Sequence, residues 1–253
     1  MFSQSLSLRT GLQVFMKMES MQNVGAFKIR GATNKLLNLS CDERKRGVVA
    51  VSTGNHGRGV AAAAKALSMR SIICMSCLVP EVKLAGIRAY GGEIRIIGKT
   101  QDDAEVEALR LVNEEGMINV HPFDDPYVAA GQGTIGLELI EDLPDLSTII
   151  IPLSGGGLAG GIALALKHFN KNIRVVGVSM ERGPAMVSSL NAGKPIEVNE
   201  VYTLADSLGG GIGLNNQLTF ELCSKYIDDT VLVSEEQISK SMAHLFLEER
   251  LVI

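Results

Sequence analysis

The sequence predicts an α/β protein built on parallel sheets. Short β-branched runs alternate with longer Ala- or Leu-rich stretches of helical length. Its informative glycine-rich segments all fall at the turn from such a run into the next helix. That alternation calls for parallel strands with helices on both faces, and right-handed crossovers then gather the strand-end turns along one sheet edge, where ligands bind.

Taken in order, Val14–Met18 is the first candidate strand. Gly47–Ser52 is the second, followed by a helix over His56–Leu67. Ser71–Met75 and Glu93–Ile97 are further strands, separated by the helical stretch Val82–Tyr90, which stops at Gly91-Gly92. Gln101–Glu115 reads as a helix. Thr148–Leu153 is a buried strand feeding a Gly-rich turn and the helix Leu158–His168. Arg174–Ser179 is another strand and Glu235–Arg250 a final helix.

Composition narrows the function. The 253 residues are 46% hydrophobic with a formal net charge of −4, which suits a globular core and gives no basic face for nucleic acid. Aromatics make up 4% with no Trp, so stacking platforms for bases or sugars are not expected. No apolar run reaches the length of a membrane span and no basic-then-apolar leader opens the chain, so a cytoplasmic protein is expected. Cys41, Cys74, Cys77 and Cys223 are too few and too irregular for a disulfide framework. The Cys74-x-x-Cys77 pair ends an apolar run, which favours core thiols over a redox or zinc site.

Three turns carry the chemistry. In Gly25-Ala26-Phe27-Lys28-Ile29-Arg30-Gly31-Ala32 a lysine stands between two apolar residues at a helix start. An amine in such a site has a lowered pKa and can attack a carbonyl, although a lysine whose stem is covered while its amine reaches water would look the same. Ser52-Thr53-Gly54-Asn55-His56-Gly57 gathers four polar side chains where a helix begins. One would suffice as a cap, so a small carboxylate or phosphate site is the second reading. Ser154-Gly155-Gly156-Gly157-Leu158 lets backbone N–H groups converge on an anion, or merely allows helix and strand to approach. It is neither a P-loop nor a clean dinucleotide fingerprint. A phosphate cradle, an anion-binding helix start and a semi-buried lysine together are what a pyridoxal-phosphate site requires.

These segments resemble the serine/threonine dehydratase and serine racemase family: residues 25–32 its lysine motif, 52–57 its carboxylate loop, 154–158 its phosphate loop. The stretch from Asp124-Asp125-Pro126 through Gly131-Gln132-Gly133-Thr134 matches in order and spacing. Thr53 and residues 205–213 are most similar to hydroxyectoine-utilisation dehydratases. The resemblance implies the fold-type II, tryptophan synthase β-like arrangement of two parallel-sheet, three-layer domains. Residues 1–46 and 125–253 would form the large domain and residues 47–124 the small one.

It further implies pyridoxal 5'-phosphate as cofactor, held by Lys28 as a Schiff base. Phe27 would pack on the ring, Asn55 would bond its 3′-oxygen, and Ser154, Gly155, Gly156, Gly157 and Leu158 would bind the phosphate. Ser52, Thr53, Asn55 and His56 would surround the carboxylate of an amino-acid substrate, largely through backbone N–H groups. Lys28 and Thr53 would be the catalytic pair. The reaction would be β-elimination of water from a hydroxy amino acid (serine, threonine, hydroxyaspartate or a hydroxyectoine derivative), with hydrolysis of the enamine to a 2-oxo acid and ammonia, in a homodimeric enzyme. Racemisation by the same machinery and a non-catalytic paralogue are the alternatives. Glu181 matches one ligand of the family's metal site, but the second position reads Val187, so no metal is expected. The four histidines have no ligand spacing, and His168 and His244 are expected on helix surfaces. Against the family pattern the chain is expected to be short at both ends, ending at Leu251-Val252-Ile253 before the segment that faces the pyridine nitrogen.

Overall fold

Burial of alternate strand residues on both faces organises the fold, a computed structural model that describes residues 1–77 and 81–252. Strands β1 (Val48–Val51), β2 (Ser71–Met75), β3 (Glu93–Ile96) and β4 (Ile118–Asn119) form a parallel sheet in the order β3-β2-β1-β4. Val48 stands opposite Ser71 and Ile72 opposite Glu93. Val48, Ala50, Ile73 and Met75 pack on one side with Val60, Ala61 and Ala64 of α4 (Asn55–Ala66). Val49, Ile72 and Cys74 pack on the other with Ala104, Ala108 and Leu111 of α6 (Gln101–Glu115). Successive side chains point to opposite faces, so a run apolar at every position is what a strand covered on both sides needs.

The second sheet is also parallel, with β5 (Thr148–Pro152), β6 (Arg174–Met180) and β7 (Asp229–Val233) in the order β5-β6-β7. Ile151, Leu153 and Val175 join Ala159, Ile162, Ala163 and Leu166 of α8 (Gly157–Phe169) in its core. Ile150 is 69% exposed on its other side.

Glycines set the spacing between the helices that link the sheets. A Cβ on Gly31 of α2 (Lys28–Leu37) would lie 2.8 Å from the Val128 carbonyl oxygen of α7 (Pro126–Asp142). On Gly133 of α7 it would lie 2.9 Å from the Gly161 carbonyl oxygen of α8, and on Gly59 of α4 it would lie 3.1 Å from the Lys28 carbonyl carbon. Thus α2 is clasped between α4 and α7, and Ala32 and Leu36 enter the core of the first sheet. The Gly131–Thr134 motif therefore has a packing role: its glycines admit the neighbouring backbones, and buried Gln132 accepts a bond from the otherwise unpaired Gly31 N–H at 3.2 Å.

The expected strand at Val14–Met18 does not form. Phe15 makes only an isolated antiparallel bridge to Phe2, flanking α1 (Gln4–Thr10), because no strand of either sheet runs beside it. Among the α-helices and strands, seven were not anticipated: α1, α3 (Cys41–Arg46), β4, α7, α9 (Ala185–Ala192), α10 (Leu218–Tyr226) and β7. The helix expected over Val82–Tyr90 is α5 (Glu81–Ala89), and the last one is α11 (Glu235–Glu249). Cys74 is buried in β2 with its thiol pushed up to about 11 by desolvation, while Cys77 is exposed; both are free. His168 is exposed on α8, whereas His244 of α11 is half-buried against Ser5 and Arg9 of α1. No helix among the described residues is long and apolar enough to cross a membrane.

Candidate active site

Lys28 is the first residue of α2, and the turn before it is opened by Gly25 at φ +76°. Its amine donates to the Pro122 carbonyl at 2.6 Å and lies 5.4 Å from the centroid of the Phe27 ring. Burial pushes this amine down to about 8 from its usual 10.5, since nothing anionic compensates the lost hydration. Phe27 itself packs against the core of the second sheet.

The segment 120–124 joins the parts of the site. His56 of α4, only 4% exposed, bonds through Nε2 to the Val120 carbonyl at 2.7 Å. A carbonyl can only accept, so Nε2 carries the proton and Nδ1 is a bare acceptor, buried with no partner among the described residues. Desolvation, and then the nearby Lys28 charge, hold this imidazole down at about 3. His121 Nδ1 accepts from the Asp124 N–H at 2.7 Å, and Asp124 accepts from the Thr219 N–H at 2.9 Å, which caps α10. Phe123 lies against the glycine turn: a Cβ on Gly157 would come within 3.0 Å of its Cα, and one on Gly155 would meet its ring.

That turn follows β5. Gly156 has φ +85°, a backbone open to glycine, and a Cβ there would meet Met186 at 2.7 Å and Cys223 at 2.9 Å. Ser154 is tied down by donation to the Leu208 carbonyl at 2.9 Å. The N–H groups of Gly155, Gly156, Gly157, Leu158 and Ala159 find no acceptor among the described residues, and they crown a 13-residue helix. Five convergent donors at the positive end of a helix fit the phosphate of a cofactor that Lys28 would hold.

The polar turn Ser52–Gly57 follows β1. Ser52 is buried and its hydroxyl accepts from Gly54 N–H at 3.2 Å and Gly57 N–H at 2.9 Å, so it acts as the cap of α4. The N–H groups of Thr53, Asn55 and His56, and the side chains of Thr53 and Asn55, bond no described residue. The structure thus gathers Phe27, Lys28, His56 and the glycine turn around residues 120–124, and places Thr53 and Asn55 on the helix start that carries His56. Pro122, Phe123 and Asp124 had not been singled out for the site. The contribution of Pro122 is a backbone carbonyl, for which side-chain pattern gives no signal. Glu181 is exposed beyond β6, and Val187 is buried in α9.

Comparison with known proteins agrees with this geometry. The family model described as "Pyridoxal-phosphate dependent enzyme" matches residues 2–253. A Sinorhizobium fredii protein provisionally named a threonine dehydratase is 51% identical over 99% of the chain, and the chain covers 76% of it. An L-threonine ammonia-lyase of Thermotoga maritima is 43% identical over 99% of the chain, which spans only 62% of that relative's length. Among solved structures, maize serine racemase superposes with a TM-score of 0.94 at 34% identity, covering 99% of the chain and 75% of its own. Threonine deaminase isoform 2 of Solanum lycopersicum gives 0.94 at 37%, covering 99% and 73%. The chain belongs to the pyridoxal-phosphate dependent enzymes, in the serine/threonine dehydratase family, with the fold of the fold-type II members.

Proposed function

We propose that this protein is a pyridoxal-phosphate dependent ammonia-lyase that eliminates water from a β-hydroxy amino acid, after which hydrolysis of the enamine by water gives a 2-oxo acid and ammonia. The observation that carries this reading is the buried Lys28 amine facing segment 120–124, against which the glycine turn with its five free N–H donors also lies. Ser154, Gly155, Gly156, Gly157 and Leu158 would hold the phosphate, Phe27 would cover the ring, and Asn55 would bond its 3′-oxygen. Pyridoxal phosphate, when bound, supplies the electron sink that acidifies the substrate's Cα proton.

The chain's own groups do the rest. Lys28 Nζ, with its affinity for protons lowered by burial, takes the Cα proton near neutral pH. The free N–H groups of Thr53, Asn55 and His56 orient the carboxylate at the positive end of α4, while Ser52 holds the turn that presents them. Neutral His56 adds no competing charge. The β-hydroxyl departs as water. Thr53 carries a methyl group where a racemase needs room to return a proton, which favours elimination over inversion.

Residues 47–124 would act as a small lobe closing on residues 1–46 and 125–253, with the Lys83–Asp206 ion pair, N–O 3.0 Å, bridging them. Assembly as a homodimer in the cytoplasm belongs to the same reading. The cofactor-loaded chain is to be incubated with L-serine, L-threonine and 3-hydroxyaspartate and assayed for 2-oxo acid. Oxo acid with stoichiometric ammonia supports the proposal, and inverted amino acid without oxo acid contradicts it.

A further inference from the structure

Arg58 is a half-buried cation that no described residue neutralises. Its Nη1 donates to the Val24 carbonyl at 3.1 Å, and its Nε is buried with no acceptor among the described residues. No carboxylate of the described residues lies within ion-pairing distance of it, whereas Arg30, Arg70, Arg95, Arg110 and Arg174 each have one. A guanidinium offers five donors, and a buried Nε left without an acceptor disfavours the empty state.

The surroundings are shaped for this group. A Cβ on Gly86 of α5 would lie 2.8 Å from Nε and 3.1 Å from Nη2, so the facing helix carries glycine where the guanidinium lies. A Cβ on Gly25, three residues before Lys28, would lie 3.6 Å from Nη1. Arg58 and Asn55 stand three apart on one face of α4, and helical side chains lean toward the helix start, here the Thr53–His56 turn. Lys28 and His56, which lie near one another, bring no negative charge to it.

We propose that Arg58 is a specificity-determining residue that binds a second carboxylate, carried on the substrate's side chain. The preferred substrates are then β-hydroxy amino acids of the 3-hydroxyaspartate class rather than threonine, an inference that rests on the lyase reading above. A planar carboxylate can accept two parallel N–H bonds from Arg58, while the methyl group of threonine leaves the cation unpaired.

Two measurements test it on the cofactor-loaded chain. The first is the ratio of kcat/KM for 3-hydroxyaspartate to that for L-threonine in wild type, Arg58→Gln and Arg58→Lys. Gln keeps a donor for the Val24 carbonyl and removes the charge; Lys keeps the charge. The ratio is expected to fall about 10- to 100-fold in Arg58→Gln and to recover in part in Arg58→Lys. A ratio that does not change, even if both activities fall together, assigns Arg58 to anchoring Val24 and overturns the proposal.

The second compares calorimetric binding of succinate and butyrate, which have the carbon skeletons of 3-hydroxyaspartate and threonine. Wild type is expected to favour succinate by about 10-fold or more, and Arg58→Gln to bind the two alike. Equal binding by wild type overturns the proposal. If no oxo acid forms from either amino acid, the lyase reading fails while the succinate preference still decides the role of Arg58.

Discussion

Lys28 and His56 are both held in their uncharged direction by burial, and each leaves a signature in stability. The Lys28 amine titrates near 8 in the folded chain and near 10.5 when unfolded. The unfolded chain therefore binds more protons between those values, and the burial penalty is full below pH 8 and fades as pH rises to 10.5. Lys28→Met in the cofactor-free protein is expected to be more stable than wild type by about 1 to 3 kcal/mol below pH 8, an advantage that vanishes toward pH 10.5 in denaturant titrations. His56 titrates near 3 folded against 6.5 unfolded, so the stability it carries above 6.5 is lost as pH falls toward 3. His56→Gln, which keeps a donor for the Val120 carbonyl, is expected to flatten that acid limb in the same titrations. At this scale Lys28 between Phe27 and Ile29 reads equally as a covered surface lysine, and it was the two anion-binding turns downstream that singled it out. Its partner was not legible, because a main-chain carbonyl leaves no trace in residue type.

Elements read well wherever burial on both faces wrote a continuous apolar run. Ser71–Met75 and Gln101–Glu115 were anticipated to the residue, and β1, β5 and β6 within one or two positions. The misses have physical causes. Val14–Met18 is apolar enough for a strand but lies beside none. In β7, by contrast, three of five residues are exposed, so the run Asp229–Val233 lacks the buried-strand signal. Helix α7 contains Gly131, Gly133 and Gly136, residues that lower helix propensity, yet they are what lets α2 and α8 come close. A methyl group at Gly161 of α8 would press on the Ala129 carbonyl and lie 3.1 Å from the Gly133 nitrogen. Gly161→Ala is therefore expected to cost about 1 to 3 kcal/mol in denaturant unfolding, far more than an exposed helical glycine, where alanine is favoured.

Across the whole molecule, the site is assembled from four stretches far apart in sequence: residues 27–28, 52–56, 120–124 and 154–158. The first sheet presents α4 and the polar turn before it, the second presents α8 and the glycine turn, and α2 is wedged between α4 and α7 to bring Lys28 to segment 120–124. The family order of the three motifs was visible along the chain, but the wedge was not, because it depends on glycine contacts between helices that are distant in sequence. Lys28 is the residue proposed to hold the cofactor. Borohydride reduction of the pyridoxal phosphate-loaded chain, followed by peptide mass mapping, tests this directly. The pyridoxyl mass is expected on the peptide containing Lys28 and absent from a Lys28→Ala protein treated in parallel; stoichiometric labelling of a different lysine, or none in wild type, would contradict it.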